Sequence, residues 1–495
     1  MLSNKWITLM MTSLFCIILT FPVWAAYTHY GDTDSGNFRD AYPDKVGTKL
    51  DSCTLCHKGY IDPNNEKNNL GSCQNCHAVT NYGTVDPPIY DQTLNSFGQA
   101  YKDADRNQAA FGTIELTDSD GDGYDNITEI NALRYPGDAS DDPTKVPAPS
   151  RVFTKAELQA MPQHSQFLLM NTTKSGDSYA TYSGVILQDL LQTAGIRSNS
   201  TMIDVYAPDG YIIGHLLNDS DSNTPNLKSY KPPVNFTYPQ ATYFYNSVAD
   251  KANGGWVDYI SPGTAGRSDG ETINVDGGLR LILALQAEGV DLVPGEIDGI
   301  TNKLKDGTEG PFRTITPQKW VGPPDRASTD PNKNSQPYPY SSDNDHNAGF
   351  STKCATMIYV EPLPDGTTEL DRYEGGWNYV DQGKIVVFGN IDPLPNILEK
   401  LDALSASINA IDSASFKQPN AQKVLVQKIE VIKKIINQGS YAEALQKLQD
   451  DLSQKTDGCS KSGFDDGNDW VKDCDEQAKL YWSIHEIIVF LKILT

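Results

Sequence analysis

The chain has 495 residues, a hydrophobic fraction of 38% and a mean hydropathy of −0.46; at about 150 residues per domain it is too long for one compact core. Its 40 Lys and Arg stand against 64 Asp and Glu, a formal net charge of −24. This argues against nucleic acid and anionic membrane surfaces as partners and favours cationic partners, calcium or simple solubility.

Residues 1–25 read as an export signal. Lys5 supplies a positive start, residues 6–20 form a short apolar core, and Val23-Trp24-Ala25 offers a small-residue cleavage site. A membrane span needs about 20 apolar residues, and this run stops short, with Pro22 ahead of the cut. The mature chain is expected to begin near Ala26, in the periplasm or outside the cell, and Cys16 leaves with the signal.

Two C-x-x-C-H pentapeptides come next, Cys53-Thr54-Leu55-Cys56-His57 and Cys73-Gln74-Asn75-Cys76-His77. In such a motif the two thiols can add to the vinyl groups of a haem while the adjoining histidine binds its iron from one side. A structural zinc ion would use the same four cysteines, but it leaves no reason for a histidine directly after the second cysteine in both copies. The spacing predicts two c-type haems, one on Cys53, Cys56 and His57, the other on Cys73, Cys76 and His77. His29 precedes the motifs and offers one second axial imidazole, or is a solvated residue beside a new N-terminus. Met161, His164 and Met170 come next as ligands, and an open iron position remains an alternative.

Asp118-Ser119-Asp120-Gly121-Asp122-Gly123-Tyr124-Asp125-Asn126-Ile127-Thr128-Glu129 matches a twelve-position calcium loop. Asp118, Asp120 and Asp122 take positions one, three and five, Gly123 makes the turn at six, and Tyr124 offers its carbonyl. Asn126 acts through water, and Glu129 binds with both oxygens. The flanks lack the long helix pair of a calcium sensor, which predicts a static brace between the haem region and the next domain. Leu94-Asn95-Ser96-Phe97-Gly98, this loop and Tyr135-Pro136-Gly137-Asp138 together resemble the haem-plus-calcium modules of secreted dihaem proteins from metal-respiring bacteria. The first domain is therefore drawn over residues 26–147, irregular and helical.

Residues 141–150 have the proline and polar content of a linker. A second domain then covers residues 150–390. Leu187, Leu190 and Leu191 share one face of a helix ended by Gly195, and Ile203, Val205 and Ala207 alternate up to Asp209-Gly210, predicting an α+β unit with a largely β core.

The run from Gly184 to Gly195, Asp209-Gly210-Tyr211, Gly310-Pro311-Phe312-Arg313 and Lys319-Trp320-Val321 resemble elements of the molybdopterin-binding domain of the sulfite oxidase family. That family's metal-binding cysteine would fall just before the helix, where residues 167–182 hold none; Cys354 comes too late in the chain. The resemblance therefore implies a scaffold without the metal, in which Arg313 and Lys319 serve salt bridges or an anion. With the haem pair before it, the region is also similar to a family of dihaem proteins named for a Gly-Glu-Gly-Pro motif. The match runs through Thr308-Glu309-Gly310-Pro311, which departs at Thr308, then Gly366-Thr367-Thr368-Glu369, Gly375-Gly376-Trp377 and Ile385-Val386-Val387-Phe388-Gly389. It implies an exported dihaem electron-transfer protein with no defined substrate.

In residues 392–495, Leu425, Ile429, Ile432 and Ile436 follow 4-3-4 spacing, as do Tyr441, Leu445, Leu448 and Leu452, and Leu480, Ile484, Ile487 and Leu491. Three amphipathic helices are predicted, the first folded back on the second at Asn437-Gln438-Gly439-Ser440 into a small bundle. Cys459 and Cys474 flank a polar loop and are expected to form a disulfide, leaving Cys354 a buried thiol. With Asp469-Trp470 and these cysteines, the segment resembles the FIMAH module of secreted bacterial proteins.

The expectation is a multidomain α+β protein: a haem-binding irregular and helical domain with an EF-hand-like calcium loop, a mainly β, sulfite-oxidase-like domain, and a small helical bundle. Its expected function is that of an exported dihaem c-type cytochrome in extracytoplasmic respiration, with multihaem cytochromes as redox partners and no integral membrane span. An oxidoreductase using molybdenum or an open haem, and a cell-surface adhesive or assembly protein, are the alternatives. No residue is given a catalytic role.

Overall fold

The computed structural model describes residues 33–51, 53–57, 94–170, 178–208, 211–218, 233–243, 262–268, 270–298, 304–317, 347–370, 376–464 and 466–495. The export segment, His29 and the second C-x-x-C-H motif lie outside the described residues. The chain is multidomain, with both helices and sheets and with separate hydrophobic cores.

The N-terminal unit contains helices α1 (Thr33–Ala41), α2 (Ser96–Asp103), α3 (Gln108–Ile114) and α4 (Asn126–Asn131), with a 3-10 turn at Cys53–Leu55. Asn95, Asn107 and Asp125 start α2, α3 and α4 by accepting hydrogen bonds from the amides of Gly98, Ala110 and Thr128, satisfying donors that a helix start leaves open. The core is aromatic. Tyr101 stacks on Phe111 at 4.3 Å, and Phe38 and Tyr42 meet Phe111 edge-on at 5.8 and 5.9 Å. Such pairs each contribute about 0.5–1.5 kcal/mol beyond area burial.

The middle unit runs through β1 (Val146–Pro147), β2 (Ser150–Thr154), α5 (Lys155–Ala160), β3 (Gln163–Met170), β4 (Ser178–Ile186), α6 (Leu187–Ala194), β5 (Met202–Tyr206), β6 (Ile212–Leu216) and β7 (Thr237–Thr242). It continues through β8 (Thr272–Arg280), β9 (Ile282–Ala287), β10 (Val290–Asp291), β11 (Arg313–Ile315), β12 (Met357–Val360), β13 (Thr367–Thr368), α7 (Trp377–Gln382) and β14 (Lys384–Gly389). Helix α6 buries Leu187, Leu190 and Leu191, and Gly195 ends it at φ 86°, a left-handed conformation in which glycine carries no Cβ penalty. One five-stranded sheet has the order β10-β9-β4-β3 with β11 also on β9; the other has the order β2-β14-β12-β5-β6, with only β12 and β14 parallel. Side chains alternate between layers. On β14, Ile385 and Val387 enter the core between the sheets while Val386 and Phe388 enter a second core, and on β9 Leu283 and Leu285 part from Ile282 and Ala284 in the same way.

The C-terminal unit packs α8 (Leu394–Ala410), α9 (Ala421–Asn437), α10 (Tyr441–Lys447), α11 (Gly458–Ser462) and α12 (Cys474–Leu494). Helix α8 is additional to the three predicted, although Ile397, Leu401, Leu404 and Ile408 repeat at the same 4-3-4 spacing and are buried. Pro393 and Pro395 mark its first turn, where a missing amide costs nothing. A disulfide joins Cys459 to Cys474, with Cα atoms 5.4 Å apart. Among the described residues no helix is long and apolar enough to cross a membrane.

Residues 141–150 are held rather than loose. Val146 and Ala148 donate to the carbonyls of Gly366 and Thr368 at 3.1 and 2.9 Å, pairing β1 with β13 in parallel, and the Val146 side chain packs into the helical bundle's core. Proline here sets an extended path through a junction.

Candidate functional site

The first C-x-x-C-H motif forms the 3-10 turn Cys53–Leu55 followed by Cys56 and His57, and His57 bridges antiparallel to Leu94. Cys56 is half-buried and His57 buried. Asn95 secures this turn. Its side-chain amide donates to Leu55 O at 2.9 Å, its backbone amide donates to Cys56 O at 2.9 Å, and its side-chain oxygen caps α2 through Gly98 N at 2.8 Å. Two glycines permit the approach. A Cβ on Gly98 would sit 2.1 Å from Cys56 O, and one on Gly137 would sit 2.6 Å from the Asn95 carboxamide carbon. The motif, Leu94-Asn95-Ser96-Phe97-Gly98 and Tyr135-Pro136-Gly137-Asp138, apart in sequence, therefore meet at one place. A c-type haem needs cysteines and an imidazole on one anchored turn beside apolar surroundings. The described turn has these features, with Leu55, Phe97 and Tyr101 in the adjoining core.

Cys73, Cys76, His77 and His29 lie outside the described residues. The other histidine and methionines named as axial ligands are placed in the middle unit. Met161 packs against the core between the sheets, and Met170 is buried on β3 with Asn347 Nδ2 3.8 Å from its sulfur. His164 is buried on β3, where loss of hydration pulls its imidazole below the ordinary value.

The acidic loop, residues 118–129, joins α3 to α4. Gly121 and Gly123 take φ 85° and 103°, where glycine alone is unstrained. The carboxylates are oriented by the loop's own backbone: Asp118 accepts from Gly121 N and Gly123 N at 2.7 and 2.9 Å, Asp120 from Asp122 N at 3.2 Å, and Asp122 from Tyr124 N at 2.8 Å. Ligand oxygens of Asp118, Asp120 and Asp122 lie within 4.8 Å of one another. Asn126 and Glu129, both 0% exposed, close the loop as part of α4, and Asn126 Nδ2 is tied to Ile114 O at 2.7 Å. Asp120 Oδ2, Asp122 Oδ2, Asn126 Oδ1 and both Glu129 carboxylate oxygens are buried acceptors with no hydrogen-bond partner among the described residues.

Burial, then the charges of Asp120, Asp122 and Asp118, push the Glu129 carboxyl up to about 9; burial chiefly pushes Asp120 up to about 6. Acceptors buried in this way are destabilising unless something donates to or coordinates them. An oxygen-only donor set of this kind fits a hard cation of calcium's size. A second acidic group, Asp457, Asp466 and Asp469, differs in kind: Asp469 accepts from the amides of Gly458 and Asp466, and Asp457 pairs with Lys461 at 2.7 Å.

In the middle unit, Arg313 is buried and ion-paired with Glu309, which also pairs with Lys353 at 2.6 Å; the guanidinium lies 5.7 Å from the Tyr182 ring centre. Burial alone would raise the Glu309 carboxyl, but Arg313 and Lys353 together outweigh it and hold the group below its ordinary value. Arg313 thus serves a structural salt bridge, while Lys319 lies outside the described residues. On β3 and β4, where the sulfite-oxidase resemblance would seek a thiolate, Phe167 stacks on Tyr179 at 5.4 Å. Cys354 is buried elsewhere, its thiol donating to Thr308 O at 3.7 Å.

Sequence reasoning missed Lys49 and Asp141, whose side chains are 2% and 8% exposed. Lys49 Nζ donates to Asp141 Oδ2 at 2.8 Å and to Thr368 Oγ1 at 2.6 Å. Only contact across the junction reveals this pair. The role of Asn95 was missed as well, although an asparagine ahead of Ser96-Phe97-Gly98 is a local helix-start signal that could have found its capping part. Comparison with known proteins finds no matching family model, no matching curated protein and no matching solved structure.

Proposed function

We propose that this chain is an exported dihaem c-type cytochrome that carries electrons in extracytoplasmic respiration, in the periplasm or at the outer cell surface. The observation that carries the reading is the pair of C-x-x-C-H motifs, supported by the anchoring of the first by Asn95 and Gly98. Cys53 and Cys56 would hold one porphyrin and His57 its iron; Cys73, Cys76 and His77 would hold the second, with His29 the first histidine to test as a further iron ligand. Bound haem supplies reversible one-electron transfer at iron.

The chain's residues supply position and burial. Asn95 fixes the His57 turn, and the aromatic core beside it would limit water at a haem held there, one of the factors that tune a haem potential. Asp118, Asp120, Asp122, Asn126 and Glu129, with the Tyr124 carbonyl, would hold calcium as a brace between this unit and the next. The middle unit, a sulfite-oxidase-like scaffold by resemblance, keeps its buried Arg313 engaged by Glu309 and would dock a redox partner, multihaem cytochromes being the expected class. The helical bundle, FIMAH-like by resemblance, would serve attachment or assembly.

The test is expression in a host that matures c-type cytochromes, followed by metal content and by oxidised and reduced spectra. Two covalently held haems per chain, calcium, no molybdenum and low-spin iron are expected. Stoichiometric molybdenum or a carbon-monoxide-binding high-spin haem would convert the reading to an enzyme, and a chain without covalent haem would end it.

A further inference from the structure

We propose that calcium in the 118–129 loop sets a strap, residues 133–148, that locks the N-terminal unit onto both the middle unit and the helical bundle. This rests on calcium binding at that loop and adds what the ion controls.

The path is continuous. Asn126 and Glu129 are at once loop ligands and the first turn of α4, whose Ile130 is fully buried in the aromatic core. The Glu129 carbonyl accepts from Arg134 N at 2.8 Å. The Arg134 guanidinium then gathers the strap on itself, donating to the carbonyls of Leu133, Asp142 and Lys145 at 3.0, 3.2 and 2.5 Å. Enclosed by that fold, Asp141 accepts from Tyr135 N at 3.1 Å and from Lys49 Nζ at 2.8 Å, and Lys49 reaches on to Thr368 of β13 at 2.6 Å. Past Lys145, β1 pairs with β13, Val146 enters the bundle core, and a His485 ring nitrogen of α12 lies 3.1 Å from Thr144 O.

The strap therefore touches all three units and hangs from α4 at its start. Asn126 Oδ1 and both Glu129 carboxylate oxygens are buried with no hydrogen-bond partner among the described residues, and a divalent cation would satisfy all three. In the metal-free protein these acceptors reach water only if the first turn of α4 opens, and with it the Glu129–Arg134 link that positions the strap. Room for movement exists: a cavity of about 230 Å³ lies between the strap and residues 363–369, bordered by Tyr135, Asp138, Lys145, Asp365 and Glu369.

The experiment is limited trypsin digestion of the full chain, with excess calcium and with chelator, beside calorimetric titration with calcium alone. The strap offers cutting sites after Arg134 and Lys145. We expect one tight calcium at this loop and cutting at these sites about tenfold faster in chelator, since cleavage of a native chain follows local opening. Asp141→Asn should give the fast cutting even in calcium while leaving calcium stoichiometry unchanged. Thr368→Val, which keeps the buried charges paired, should give an intermediate rate and guards against a misfolded Asp141 variant. Tight calcium binding with equal cutting in both conditions overturns the strap and leaves calcium binding standing; no calcium binding at the loop overturns both.

Discussion

The Asn95 carboxamide and the Leu55 carbonyl are joined at 2.9 Å, and the Asn95 backbone amide meets the neighbouring Cys56 carbonyl at the same distance. One residue thus grips two successive peptides of the turn that leads to His57 while also capping α2. Asn95→Ala removes the cap and leaves the buried Leu55 carbonyl without its donor, for an expected loss of about 1–3 kcal/mol. Denaturant unfolding measures it; an unchanged midpoint would mean that the turn is held by other contacts.

Two nearby glycines should respond with opposite signs. Gly98→Ala drives a methyl against Cys56 O, so the turn must shift, with an expected loss of about 1–3 kcal/mol. Gly112→Ala, on α3 with open space around its Cβ position, should be neutral or stabilise by up to about 1 kcal/mol. Thermal unfolding of both variants under one condition tests the contrast.

Glu129→Gln should reverse sign with calcium. In chelator at neutral pH the substitution removes a buried carboxyl that must take up a proton to fold, and the unfolding midpoint should rise by the equivalent of about 1–3 kcal/mol. In excess calcium the variant loses a bidentate ligand, binds weakly, and should unfold before the wild type. The same direction in both conditions would remove Glu129 from the ligand set.

Glu309 gives the middle unit an acid-sensitive contribution. Its folded-state carboxyl is held low, chiefly by Arg313 against the opposing effect of burial. The stabilisation it provides is present above the unfolded value, about 4.3, and is lost as pH falls through the lower folded value. Glu309→Gln should cost about 1–3 kcal/mol at neutral pH, less than for a fully buried pair because 24% of the Glu309 side chain is exposed. That gap should narrow on acidification below about pH 4. A gap constant into strong acid would show that the charge of Glu309 contributes nothing.

The Cys459–Cys474 disulfide closes a loop with a sequence separation of 15, contributing about 3 kcal/mol in the chain-entropy model. Reduction should lower the bundle's unfolding midpoint accordingly. The check is differential scanning of oxidised and reduced protein, with Cys459→Ser, Cys474→Ser as the reference.

Much of the architecture could be read from local patterns, because local physics forms it. The leucine face of α6 and its Gly195 stop, the 4-3-4 stripes of the bundle and the positions of the acidic loop all depend on residues within a few turns of each other. Helix α8 escaped because Pro393 and Pro395 read as a boundary, although proline suits a first turn. Strands β9 and β14 are apolar on both faces, since each lies between two cores, and so offer no alternation to recognise. At the site, the C-x-x-C-H turn was visible but its support was not: Asn95 lies 40 residues from Leu55, and Lys49 lies 319 from Thr368. Composition alone made residues 141–150 look like a linker, whereas β-pairing and the burial of Val146 depend on partners far downstream.

The placement of Val146 also carries a timetable. Its side chain shares a core with Val489 of α12, and during synthesis the N-terminal unit emerges well before that helix exists. The turn bearing Cys53 and Cys56 therefore spends an interval on a nascent chain with neither the middle unit nor the bundle beside it. The junction is thus the last part of the molecule to close, since its core is incomplete until α12 arrives.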